Sequence, residues 1–156
     1  MNSQFINPFL ASICNTLETM AMLASVPGKP ALKKGASAGG EITGIIGMAG
    51  DKVKGSFAIS FSKPLILQVA ENMLGETFSD IDETVIDLVG ELTNISTGGA
   101  KAKLADDGHN FNMATPVIVS GKDHRIEHSL KGPVITIPFE TEYGFFFVEI
   151  SFTPSN

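Results

Sequence analysis

The chain has 156 residues, 43% of them hydrophobic, with 11 Lys and Arg against 17 Asp and Glu and a formal net charge of −6. That length carries one well-packed core and is short for two, so a single domain over 1–156 is expected, and the acidic balance has the wrong sign for a nucleic-acid partner. Cys14 alone supplies neither a disulfide nor a zinc cluster, no apolar run approaches the ~20 residues that span a bilayer, and Met1-Asn2-Ser3-Gln4-Phe5 lacks the basic start of a signal peptide; a cytoplasmic protein without membrane insertion is expected.

In chain order, Phe9, Ile13, Leu17 and Met20 or Ala21 recur at helical spacing. They predict a helix from about Phe5 to Leu23 with Asn7-Pro8 in its first turn and Cys14 as a buried structural thiol. Val26 to Gly40 collects prolines, glycines and lysines and reads as an ordered surface loop or a mobile excursion. Glu41–Met48 and Val53–Phe61 are β-rich runs joined through Ala49-Gly50-Asp51-Lys52, a hairpin with Gly55 as a candidate bulge. Pro64, Leu65, Val69, Met73 and Leu74 predict a short helix stopped by Gly75. A long helix then starts at a cap supplied by Asp80, in capping-box spacing with Glu83, or by Asp82, and runs to Leu104 or Ala105. After Asp106-Asp107-Gly108, four strands are expected: Phe111–Val119, Arg125–Leu130, Val134–Pro138 and Phe145–Phe152.

This order predicts a two-layer α+β domain, an antiparallel-rich sheet covered by long helices. Each half starts with a long helix and contains a strand pair, a loose duplication whose sequence identity is too low to establish a repeat by itself. Phe145, Phe146 and Phe147 put aromatics on both faces of the last strand, so one face is free to meet a second sheet, a helix or another subunit.

Taking 100° per residue, Asp87, Glu91, Asn94, Gly98 and Lys101 fall within about 80° of one another, opposite an apolar stripe of Val85, Leu88, Val89, Leu92 and Ile95. Gly98 and Gly99 are costly inside a helix, about 1 kcal/mol each relative to alanine, which points to a close approach of something to that backbone. An Asn amide accepts from water and donates to an electronegative group, so it can orient a nucleophile, whereas Glu is a weak base near neutral pH. A bland solvated face carries the same residue types. No triad is legible, because His109 lies in a turn and His124 and His128 in a strand, where their spacing puts them ~13 Å apart on one solvated or partner-facing side. Gly44 to Gly50 lacks the Lys-Ser or Lys-Thr of a phosphate loop.

The combination Asp87-x3-Glu91-x2-Asn94 followed by Pro116 resembles the active-site pattern of the CheC/CheX phosphatase family of bacterial chemotaxis. So do Gly98-Gly99-Ala100-Lys101-Ala102-Lys103-Leu104, the strand Ala114–Gly121 and the late hairpin from Gly132 to Phe152; the likeness covers nearly the whole chain and is greatest to CheX. The resemblance implies dephosphorylation of a phosphorylated CheY-like response regulator, with Asn94 orienting the attacking water and Glu91 binding a lysine of the regulator. Asp87 would orient contacts, Gly98 would admit the regulator's surface, and Lys101 and Lys103 would tune docking or serve as helix-end cations. It also implies Mg²⁺ in the regulator, with no metal or other cofactor bound by this chain. CheC-like proteins carry a second Glu and Asn pair in the first helix; here Thr16 and Thr19 hold those places, which implies one site per chain and a CheX-like homodimer joined through its sheets. The alternative is a non-catalytic adaptor that holds a regulator or flagellar component on the same helix.

Overall fold

The computed structural model describes residues 3–155. Its elements are α1 (Ser3–Met20), β1 (Val26–Pro27), β2 (Ala31–Leu32), β3 (Ile42–Gly50), β4 (Val53–Phe61), α2 (Lys63–Leu74), α3 (Glu83–Asp106), β5 (Phe111–Met113), β6 (Val117–Ser120), β7 (Ile135–Glu140) and β8 (Phe145–Pro154). The strands form one antiparallel sheet in the order β1-β7-β8-β4-β3-β5, with β2 also on β7 and β6 also on β3. The two long hairpins, β3–β4 and β7–β8, meet at β4 and β8, so the strand order is symmetric about their junction, as two helix-plus-hairpin halves require.

All three helices lie on one face of that sheet. Ile42, Ile46 and Met48 of β3, Phe57, Ile59 and Phe61 of β4, and Phe146, Val148, Ile150 and Phe152 of β8 alternate onto it. They pack against Phe9, Ile13 and Leu17 of α1, Leu65 and Val69 of α2, and Val85, Val89 and Leu92 of α3. Phe9 meets Phe57 with ring centroids 4.8 Å apart and Phe139 stacks on Phe146 at 4.6 Å. Each fully buried aliphatic or aromatic side chain contributes about 1.5–3 kcal/mol, and this layer fixes where α3 sits. Gly44 sets the approach: a Cβ there would collide with Thr93, so the strand gives way where the helix crosses it.

Local signals account for most helix ends. Asp82, rather than Asp80, caps α3, accepting the Val85 N–H at 3.0 Å. Asp80 accepts from the Ile81 N–H and pairs with Lys63 at 3.0 Å. That exposed hydrogen bond, ahead of the Coulomb attraction, holds the Asp80 carboxyl below its ordinary range and the Lys63 ammonium above its own. Gly75 stops α2 in the left-handed conformation at φ 77°. The first helix ends three residues before Leu23, since the Ala21 and Leu23 N–H groups both turn back to the Leu17 carbonyl and Met22 adopts φ 55°. Leu23 is nonetheless buried, which is why the apolar pattern runs past the helix. Because α1 begins at Ser3, Pro8 lies inside it and not in the first turn.

Several expected strands change. Residues 26–40 are not all loop, since β1 and β2 pair with β7. Gly55 is no bulge: it pairs in register with Met48 and Phe152, and its missing side chain makes room for those two. The run Phe111–Val119 splits, and the register shows why. Met113 faces Met48 and Val117 faces Ile45, so residues 114–116 stand opposite only Ile46 and Gly47, a bulge at Pro116, which has no N–H for the ladder. The expected strand Arg125–Leu130 is absent apart from one bridge between Ser37 and Arg125. Its alternation is real, but Ile126 bonds to the Ala36 carbonyl, so the segment crosses the back of the sheet beside residues 36–38 and does not join the ladder.

That back face is lined by small and polar side chains, with Thr43, Ser56, Ser60, Glu149 and Ser151 all buried. Phe147 packs beneath Gly39, whose Cβ would strike its ring, and meets Phe145 edge-on at 5.5 Å. The chain's own strap from residue 121 to 134 and the segment before β3 thus cover part of the face that the sequence left free. Val117 remains 59% exposed on the uncovered part.

Candidate functional site

Helix α3 buries Val85, Leu88, Val89, Leu92, Thr93, Ser96, Thr97, Ala100 and Leu104. Thr93 and Thr97 are tolerated inside because each hydroxyl donates to the carbonyl four residues back, Val89 and Thr93, at 2.7 Å. Turned away from that face, Asp87 and Glu91 are exposed and Asn94, Gly98 and Lys101 half-buried, so the whole row of sequence-derived candidates shares one side of one helix. Among the described residues, the side chains of Asp87, Glu91 and Asn94 make no hydrogen bond or ion pair within the chain. Glu91 and Asn94, three residues apart on a packed helix, present a carboxylate and an amide side by side with their bonding capacity unspent.

The two glycines of α3 have different causes. A Cβ at Gly99 would strike the Ser12 hydroxyl, which donates to the Ser96 carbonyl at 2.6 Å, so Gly99 lets α1 and α3 touch. At Gly98 there is nothing within 4 Å, so its absent side chain serves no contact inside the chain. On the other flank Ile118 of β6 lies over Gly90. Ile95, expected in the apolar stripe, is 38% exposed: the buried face centres on Val89, Ser96 and Ala100, which turns position 95 outward beside Asn94.

Helix α1 offers no second pair of this kind. Thr16 is buried and donates to the Ser12 carbonyl at 2.8 Å, and Thr19 donates to the Asn15 carbonyl at 2.7 Å. Cys14 is half-buried and not fully enclosed, with its sulfur 3.5 Å from the Ser25 hydroxyl.

The histidines depart most from expectation. Both reach into the back of the sheet: half-buried His124 lies 2.6 Å from the Thr43 hydroxyl, and His128, its side chain buried, lies 2.6 Å from Ser56 Oγ through Nδ1 and 3.0 Å from Glu149 through Nε2. Glu149 also pairs with Lys33 at 2.9 Å. A serine, an imidazole and a carboxylate in line have the topology of a nucleophile, base and orienter. Here Ser56 is only 3% exposed, in the middle of a regular strand, so no substrate carbonyl reaches it, and the cluster ties the strap to the sheet. One sequence signal foreshadows it: a glutamate inside an aromatic strand must find partners when buried.

Grooves of about 490 and 570 Å³ lie beside the strap, and neither is lined by Glu91 or Asn94. The polar row is on a helix surface, suited to enter a partner's pocket and not to enclose a small substrate. Among the described residues no three His, Cys, Asp or Glu side chains are grouped to hold a metal ion, and no helix is long and apolar enough to cross a membrane.

Comparison with known proteins gives the following. A family model described as chemotaxis phosphatase CheX matches residues 42–140. The CheY-P phosphatase CheX of Thermotoga maritima is 27% identical over 139 residues, 88% of each chain. A crystal structure of a CheC-like superfamily protein from Shewanella sp. PV-4 is 53% identical, with a TM-score of 0.93 over 98% of this chain and 99% of that one. A chain of the CheX–CheY–BeF3–Mg²⁺ complex from Borrelia burgdorferi is 26% identical, with a TM-score of 0.79 over 95% and 97%.

Proposed function

The chain belongs to the chemotaxis phosphatase CheX family, and from that membership we propose that it hydrolyses the aspartyl phosphate of a CheY-like response regulator, with Asn94 orienting the attacking water and Glu91 docking a lysine of the regulator. The observation that carries this reading is the unpartnered Glu91 and Asn94 pair on the outward face of α3, beside a glycine that no contact within the chain requires. The chain's buried polar groups, such as Glu149, are by contrast bonded to its own atoms.

The chemistry is economical. Water attacks phosphorus as the bond between phosphorus and the aspartyl oxygen breaks, which releases inorganic phosphate and restores the carboxylate. The regulator supplies the phosphate pocket and Mg²⁺, which neutralises charge on the phosphoryl oxygens, so positioning of the water is the missing part. The Asn94 amide accepts a hydrogen bond from that water and donates to an oxygen of the phosphoryl group, fixing the approach in line. The Glu91 carboxylate pairs with the regulator's lysine, Asp87 orients neighbouring contacts, Gly98 lets the partner's surface reach the helix, and Lys101 lies at the far end of the row. The work is done in the cytoplasm by a single domain over 1–156, one site per chain, in a homodimer joined through its sheets.

The test is loss of phosphate from Mg²⁺-bound, phosphorylated regulators of the same cell. Acceleration by the intact protein is expected; Asn94→Ala lowers kcat and Glu91→Ala raises KM. Binding without acceleration, with every regulator of the cell, would leave the adaptor reading in its place.

A further inference from the structure

Ile95 stands next to the proposed reacting pair and takes no part in it. Within α3 it is the one large hydrophobic residue left exposed, at 38%, whereas Leu88 is 7% exposed and Leu92 fully buried. Side chains on a helix lean toward its N-terminus, so the surface around residues 94 and 95 is normally covered by residues 98 and 99. Both are glycines. The space above Gly98 is open, and beyond Gly99 a groove of about 250 Å³ runs between α1 and α3, lined by Ala11, Ser12, Asn15 and Lys103. Asn94 and Ile95 therefore stand beside the open backbone at Gly98, one polar and one apolar, with Ser12 of α1 closing over Gly99.

The charge balance says what an apolar group would do there. With a formal net charge of −6, the chain gains little long-range attraction toward an acidic phosphorylation pocket, and the pairing of Glu91 with one lysine is an exposed ion pair of small value. Removing an aliphatic side chain from water is the larger short-range contribution available on this surface. Resting on the reading above, we infer that Ile95 is a specificity-determining anchor: it packs against an apolar side chain at the rim of the regulator's phosphorylation pocket as Asn94 enters. The helix surface then selects a regulator by the shape and hydrophobicity of that rim, while Asn94 and Glu91 act on features common to all phosphorylated regulators.

The test compares the intact protein, Ile95→Ser and Ile95→Met. Binding is titrated with a regulator carrying beryllofluoride and Mg²⁺, and turnover is followed with the phosphorylated regulator. Ile95→Ser should raise Kd and KM about three- to sixfold, the share of a full aliphatic burial that its 38% exposure leaves, with kcat within about twofold, and Ile95→Met should restore most of the affinity. Folding of each variant is checked by its unfolding midpoint; the part of the Ile95 side chain already covered, all but the 38% exposed, makes a modest drop expected for Ile95→Ser, and Kd is compared at a temperature where every variant is fully folded. An unaltered Kd for Ile95→Ser, or a loss confined to kcat, overturns the inference. An intact protein that binds without hydrolysing overturns the phosphatase reading alone, because the Kd comparison still decides Ile95. An intact protein that binds no regulator overturns both.

Discussion

Two polar clusters lie on opposite sides of this molecule and use overlapping residue types to opposite ends. Behind the sheet, Lys33, Ser56, His128 and Glu149 are bonded to one another, with Ser56 and Glu149 buried and Lys33 and His128 lining a groove beside the strap. On α3, Asp87, Glu91 and Asn94 are bonded to nothing in the chain and stand outside the core that holds their helix rigid. The first has the connectivity of a catalytic triad and lacks access; the second has almost no connectivity and every access. Spent bonding capacity marks structure in the first cluster, and unspent capacity on a rigid element is what the proposed docking surface requires of the second.

The largest effect should come from breaking the buried cluster. Glu149→Ala leaves the Lys33 ammonium without its carboxylate partner, and such half-broken buried pairs cost up to about 3–5 kcal/mol. Chemical denaturation measures it, and the molecules that remain folded should keep their activity, because the cluster touches no residue of the α3 row.

A smaller effect sharpens the contrast between two adjacent residues, ~1.5 Å apart in helix rise. Gly98→Ala puts a methyl group into open space and should raise stability by up to about 1 kcal/mol through helix propensity, while a larger side chain there should weaken regulator binding. Gly99→Ala displaces the Ser12 hydroxyl from the Ser96 carbonyl, a loss of about 1 kcal/mol that offsets the same propensity gain. Unfolding midpoints of the two variants should therefore separate, with Gly98→Ala the higher.

These contrasts were unequally legible in the sequence. The α3 row follows from helical period alone, a local property, and all five of its residues came out on one face. The cap at Asp82 was one of two candidates that only geometry could separate. Ile95 was misplaced because the period fixes angles between residues but not where the centre of the buried face lies, and that centre was moved by Thr93, Ser96 and Thr97, polar residues that the core accepts. The strap was mistaken for a strand because Ile126 and His128 do alternate inward, with no neighbouring strand to pair with. Ser56, His128 and Glu149 escaped notice because β4, the strap and β8 meet only in the folded sheet.

The smallest effect concerns the exposed Lys63–Asp80 pair that links the start of α2 to the segment before α3. Asp80 titrates below its ordinary range, so its contribution is complete above that range and is lost as pH falls through the depressed value. Lys63 titrates above its ordinary range, so its share is present below the unfolded value and is lost as pH rises through the raised one. Asp80→Asn should slightly flatten the acid limb of stability against pH and leave turnover unchanged.

The central claim, that unspent polar groups on α3 position a water on a partner's phosphoryl group, rests most directly on Asn94. Single-turnover loss of phosphate from a phosphorylated regulator, at protein concentrations that saturate it, isolates the chemical step from binding. The account predicts that Asn94→Ala slows that step by about a hundredfold or more while the complex still forms. A variant complex that releases phosphate as fast as the intact one would contradict it.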